Sequence, residues 1–376
     1  MSELSFKPAG LDRPRLLALM KEQDLDGIFL SSPENVFYTT GYPCLPGSGN
    51  PIIHALRNQD PYFVFIGRDG AISLLCWGPA AMGIEYGTED VRMSFTSQMA
   101  ADDLAALIEE KLKPGCTVGV ESTFPYYATK LLEEKAKPAN ILVADDLLNR
   151  LRLIKSPEEV ERIRRSTKII DQTVMELAQS LRLGMTRLEL IQEAKYRMIK
   201  NGAEGVDHVT MAFGGANPEV ALDEPLEADQ IVTLDLGAIY QGYVSDNRRL
   251  VYTGSIPDTL RELHKKLCWI VAEMGKALRP GKTFSEVHAY AAGLYAKMGI
   301  DPMYLHVGHS MGLQVEERWI MSDDPTVIEP GMVLNIELYS PSEDGVMIGD
   351  EETFLVTSGD PEKLSTLPVD IIARKI

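Results

Sequence analysis

The chain has 376 residues, 45% of them hydrophobic, and a formal net charge of −18. That is apolar content enough for two cores, while an acidic balance without basic clusters excludes nucleic acid and anionic membranes as partners. No window approaches the ~18 continuous apolar residues of a membrane span, and the opening MSELSFKPAGLDRPR lacks a signal peptide's apolar stretch, so a cytoplasmic protein is expected.

Residues 13 to 150 alternate helical patterns with short apolar runs, as in Arg15 to Met20 followed by Gly27-Ile28-Phe29-Leu30. Such alternation predicts an α/β domain. Cys44, Cys76, Cys116 and Cys268 have neither disulfide-framework nor metal-ligand spacing, which predicts reduced thiols. The Pro/Gly-rich stretch Tyr42 to Pro61 is long for a connection and carries His54 and Arg57, and long ordered loops tend to be functional. Ser156-Pro157-Glu158-Glu159 reads as a capping box with proline at the first helical position, opening a long amphipathic helix. A domain boundary is placed here, giving domains 1–153 and 154–376.

Beyond it an internal repeat emerges. Arg182, Gly184, Thr186, Glu189, Lys200 and Gly202 recur as Arg279, Gly281, Thr283, Glu286, Lys297 and Gly299, all at an offset of 97, which points to duplication. Each copy leads to an acidic hairpin. In the first, IVTLDLGAIYQGYVSDNRRL, a turn centred between Tyr240 and Gln241 sets Asp235 directly opposite Asp246. Like charges so placed are destabilising unless a cation joins them. The second copy turns at Glu343-Asp344-Gly345 and sets Glu337 against Glu351, fourteen residues on. Four carboxylates then face one centre, and His309 in YLHVGHSMGLQV is a natural further ligand.

These segments, with DGIFLSSPENVFYTTGY near the amino terminus and the RLIKSPEE run, resemble the pita-bread metallopeptidase family, which includes Xaa-Pro dipeptidase, aminopeptidase P, methionine aminopeptidase and creatinase. The resemblance covers nearly the whole chain. It implies an α/β two-domain protein: an amino-terminal creatinase/prolidase-like domain for dimerisation and site closure, then a pseudo-two-fold pita-bread α+β catalytic domain. It also implies five metal ligands, Asp235, Asp246, His309, Glu337 and Glu351, with Glu352 the reserve for the last. Strand alternation allows only one of the two glutamates onto the metal face. An oxygen-rich set suits two divalent ions, with manganese, cobalt, iron and zinc all tenable. A homodimer is expected, with His54 or Arg57 near the partner's cavity.

Three positions depart from the family pattern. Asp223 and Glu316 stand where prolidases carry histidines that contact the substrate carbonyl, and Arg248 stands where the family has threonine. Arg248 shares a strand face with Asp246 and so points at the centre. It is read as an ion-pair partner, as an anchor for a small carboxylate substrate, or as a cation that displaces one or both ions. His306 is read as supporting the metal histidine and His208 as facing the cavity, whereas His264 and His288 are read as helix residues without a role.

The expected activity is metal-dependent hydrolysis of a C–N bond in a small peptide, in the manner of an Xaa-Pro dipeptidase with an atypical site. Two alternatives stand beside it. One is a small-molecule amidohydrolase or amidinohydrolase, like creatinase or ectoine hydrolase, or a lyase on the same fold. The other is a non-catalytic binding module, against which the retained ligand positions argue.

Overall fold

The computed structural model describes residues 4–6, 8–88, 90–220, 222–303 and 305–376, the side chains of 4–6 excepted. The chain divides into two units, Met1–Arg152 and Leu153–Ile376.

In the first unit the apolar runs pair into a six-stranded sheet. Its spatial order is Asp90–Ser94, Ile72–Trp77, Phe63–Gly67, Gly27–Leu30, Thr117–Val120, Asn140–Val143. Gly27–Leu30 is buried throughout, as its continuous apolar run requires for a central strand. It pairs antiparallel with Phe63–Gly67 and parallel with Thr117–Val120. Helices Ser97–Lys111 and Tyr126–Ala136 bring Leu104, Leu107, Ile108 and Leu132 onto Phe29, Phe63 and Phe65. The 42–61 stretch is tied down at its start, where Tyr42 and Cys44 are buried and the Tyr42 ring meets Tyr62 and Tyr86 at 5.7 and 5.4 Å. It also carries a helical turn, Ile52–Ala55.

The second unit opens with helix Pro157–Ser180, whose Ser156/Glu159 capping box is formed. The repeat is visible in its local chemistry. Helices Arg187–Lys200 and Phe284–Met298 both begin with reciprocal Thr/Glu capping boxes, at Thr186/Glu189 and Thr283/Glu286. Before each, a glycine at positive φ, Gly184 and Gly281, donates its N–H to the segment that leads into the hairpin, at Leu226 O and Ile328 O respectively.

Each copy contributes a hairpin to its own sheet. Ile231–Tyr240 pairs with Asn247–Tyr252 and, on its other edge, with Gly205–Phe213. Val333–Pro341 pairs with Met347–Leu355 and with the two-residue strand His309–Ser310. Alternation divides the residues of each strand. Val232, Leu234, Leu236 and Ala238 enter one core, and Leu334, Ile336 and Leu338 enter the other. Thr353 Oγ donates to the Asp246 carbonyl across 3.1 Å, and Arg249 reaches the Glu351 carbonyl at 3.1 Å, so the two hairpins are stitched together at the level of the acids.

One expectation is corrected here. The first hairpin turns about Gln241 and Gly242, not about Tyr240 and Gln241, because both Gln241 and Gly242 adopt positive φ, +48° and +84°, as a two-residue primed turn demands. Asp235 therefore pairs directly with Arg248, and Asp246 lies two positions nearer the turn. The shift is by an even number of residues, so the side chains stay on the expected face. In the second hairpin Glu337 and Glu351 are direct cross-strand partners.

Candidate metal centre

With the even-numbered residues of Ile231–Tyr240 and Val333–Pro341 committed to the cores, Asp235 in the first of these strands and Asn335, Glu337 and Tyr339 in the second face the other way. Asp246, His309 and Glu351 form a buried group whose ligand atoms lie within 4.8 Å of one another. They come from three separate segments. His309 Nε2 lies 3.4 Å from Asp246 Oδ2 and 3.9 Å from Glu337 Oε1. A second group, His208, Asp235 and Asp246, adjoins it through the shared aspartate.

Supporting contacts hold these carboxylates in place. Asn335 Nδ2 donates to Glu351 Oε1 at 2.6 Å, and the Tyr339 hydroxyl donates to Glu337 Oε2 at 2.8 Å. His306 Nδ1 lies 3.5 Å from Glu337 Oε1, its ring against Trp319 with centroids 3.9 Å apart. Glu352 points to the opposite face of its strand, where it pairs with Arg249 at 2.6 Å and Lys363 at 3.1 Å. That pairing leaves Glu351 as the residue facing the centre. Asp350 shares the Glu352 face and lies with His264 and Cys268.

The electrostatics follow from packing acids together out of water. Burial raises the Glu351 carboxyl well above its ordinary range, and the neighbouring Asp246, Asp235 and Glu337 raise it further. Burial likewise raises Glu337, against the pull of His309 and Arg248. At Asp246 burial is outweighed by His208 and His309, which hold its carboxyl low. The same attraction to Asp246 lifts His208 and His309 above the usual imidazole range against their own desolvation. Such a set suits a cation, which converts mutual repulsion to attraction.

The fit differs between the two groups. On the His309 side, one imidazole and three carboxylates from Asp246, Glu337 and Glu351 make an N/O donor set suited to a divalent ion. On the Asp235 side the carboxylate is already engaged. Its Oδ2 accepts from Arg248 Nε at 3.1 Å and from Nη2, and its Oδ1 faces His208 Nε2 at 3.2 Å. Arg248 also stacks on Tyr339, 4.5 Å from the ring centre.

The remaining candidates separate. Glu316 is exposed but electrostatically close to His309, Asp246 and His208, and partial burial raises its carboxyl. Asp223 is exposed, and among the described residues no hydrogen bond or ion pair joins it to the ligand group. His54 and Arg57 belong to the first unit, where Arg57 Nη1 donates to the His54 carbonyl at 2.8 Å. Sequence reasoning passed over Asn335, Tyr339 and Trp319. The first two were accessible to it, because they stand two residues either side of Glu337 on the same strand face. Trp319 needed the pairing of Arg318–Trp319 with His309–Ser310.

Comparison with known proteins gives concordant matches. The profile of Metallopeptidase family M24 matches residues 161–358, and that of the Creatinase/Prolidase N-terminal domain matches residues 13–154. An Xaa-Pro dipeptidase from Pyrococcus furiosus is 29% identical over 360 residues, covering 93% of this chain and 96% of its own. The solved prolidase of that organism superposes with a TM-score of 0.79 at 26% identity, covering 94% of this chain and 99% of that one. An X-Pro aminopeptidase from Thermotoga maritima gives a TM-score of 0.78 at 22% identity over 96% and 99% of the two chains, which speaks for the fold.

Proposed function

The chain belongs to metallopeptidase family M24, and from that premise we propose that it is a divalent-metal-dependent hydrolase of a C–N bond in a small substrate, with Asp246, His309, Glu337 and Glu351 as the core of its ligand set. The observation that carries the reading is the convergence of Asp246, His309 and Glu351 from three segments into one buried group. Held by these residues, a divalent ion would supply the acidity that ionises a water near neutral pH and would polarise the substrate carbonyl. Around it the chain's own residues do the rest. Asn335 and Tyr339 fix the orientations of Glu351 and Glu337 by donating to them. To Glu316, exposed and within electrostatic reach of His309 and Asp246, we assign the acceptance and return of a proton.

The dipeptidase version draws support from the 29% identical relative. A small-molecule amidohydrolase or lyase draws support from a different observation. Acids stand at Asp223 and Glu316, and ionised carboxylates cannot donate a hydrogen bond to charge developing on a carbonyl oxygen.

The test is to strip the protein with chelator, reload it with manganese, cobalt, iron or zinc singly, and measure bound metal, melting temperature and turnover of Xaa-Pro dipeptides against small amides. Bound metal with a raised melting temperature, both lost in Asp246→Asn, is the expected result. Protein that binds none of the four metals would refute the proposal.

A further inference from the structure

Resting on the metal-hydrolase reading above, we infer that this centre is built for one ion per chain, and that the protein's own Arg248 and His208 occupy the position between Asp235 and Asp246 where a second ion would bind.

The occupancy is set by strand register as well as by side-chain choice. Asp235 and Arg248 are direct cross-strand partners, so the guanidinium rises from the position nearest the carboxylate it binds. From the other edge of the same strand, His208 is the direct partner of Gly237. A Cβ on Gly237 would overlap the His208 ring. With glycine there, the ring fits against the strand at that position and reaches the acids. Its Nε2 then sits 3.2 Å from Asp235 Oδ1 and 3.2 Å from Asp246 Oδ1, and its Nδ1 is held by Asp207 at 2.9 Å.

Arg248 is seated in a comparable way. Its side chain is 11% exposed, one face covers Tyr339 at 4.5 Å, and Nη1 lies 2.7 Å from where a Cβ on Gly349 would project. Gly349 needs no positive φ, so its lack of a side chain serves as space for the arginine and for the Tyr339 ring. Tyr339 is in turn bound to Glu337, which ties the arginine's seat to the second hairpin.

An ion such as zinc needs carboxylate oxygen at about 2.0–2.2 Å, with lone pairs free to receive it. Both oxygens of Asp235 already face nitrogen, and a cation placed there would meet a fixed guanidinium at contact range. On the other side Glu337 and Glu351 oppose each other across their hairpin, and among the described residues no arginine makes a hydrogen bond or ion pair to either carboxylate, Arg248 acting on them only through its charge. The positive charge that Asp235 requires is thus covalently part of the chain, and only the His309 side calls for metal.

Metal counting on the intact protein tests this. Apo-protein saturated with manganese and then gel-filtered should carry one ion per chain by elemental analysis and show the six-line spectrum of an isolated ion by electron paramagnetic resonance. Arg248→Thr should gain a second ion and the broadened multiline spectrum of a coupled pair, with Arg248→Met, which removes the charge but keeps the bulk, following in part. Two ions in the wild type would overturn the inference while leaving the hydrolase reading intact, and no ion at all would overturn the hydrolase reading itself. Arg248→Thr that melts cooperatively yet still binds one ion would overturn the role given to Arg248.

Discussion

Adjacent glutamates on the second hairpin should fail in opposite ways when each is changed to glutamine. Glu352 is 3% exposed and paired with Arg249, itself 1% exposed, at 2.6 Å. Removing one partner of such a buried pair costs about 3–5 kcal/mol, and since glutamine keeps an acceptor for Arg249, the lower figure applies to Glu352→Gln. At roughly 2–4 °C per kcal/mol for a domain near 200 residues, Glu352→Gln should lower the melting temperature by about 6–12 °C and leave the metal content unchanged. Glu351→Gln removes a carboxylate whose ionisation is opposed by burial and by Asp246, Asp235 and Glu337. Because its folded pKa is raised, the metal-free protein is stabilised while this group is protonated. That advantage is lost as pH rises from the ordinary carboxylate value towards the folded one. At neutral pH the metal-free Glu351→Gln protein should therefore melt no lower than the metal-free wild type, while its metal-induced increment collapses. Paired calorimetry with and without manganese reads both numbers. If Glu352→Gln loses metal, or Glu351→Gln destabilises the metal-free protein as much as Glu352→Gln does, the assignment of strand faces is wrong.

Three other outcomes are expected. Burial, then nearby Arg249, lowers His264 to about 4. The unfolded chain therefore binds the extra proton first, and metal-free protein should lose stability as pH falls from about 6.5 towards 4, a loss that His264→Gln should flatten in denaturant titrations. The protein should sediment as a homodimer, with His54→Ala or Arg57→Ala raising KM if the 42–61 stretch of one subunit closes the other's site; a fully active monomer refutes this. Turnover of Ala-Pro or Leu-Pro should be poor, because losing one carbonyl-oxygen donor costs about 10²–10³ in rate, whereas robust turnover insensitive to Arg248→Thr would show the acids at positions 223 and 316 to be tolerated.

The two-domain division, the long capped helix, the repeat and both acidic hairpins were legible because each rests on local chemistry: capping boxes at Ser156, Thr186 and Thr283, and alternation of acid with apolar residues along the strands. What was not legible required knowing which strand lies beside which. His208 gains its place only once Gly205–Phe213 pairs with Ile231–Tyr240, through a ladder that shifts register between Gly237 and Ala238. The choice between Glu351 and Glu352 was open in the sequence because alternation says that one faces the centre without saying which. Arg249, adjacent to Arg248 and on the opposite face, decides it by binding Glu352 from the other hairpin.

The turn at Gln241-Gly242 carries the largest chemical consequence of any residue misplaced by sequence reasoning. A turn centred one residue earlier sets carboxylate against carboxylate in both hairpins, and then both call equally for cations. The actual turn slides the first ladder by two residues. Asp235 meets Arg248 instead of Asp246, and a repulsive pair becomes an ion pair within the chain. Only Glu337 and Glu351 remain acid against acid, with Asp246 reaching across from the first hairpin to join them. The pseudo-symmetry of the halves is thus kept in the backbone and broken in the charge, and under the one-ion inference it is the half that His309 serves that calls for metal.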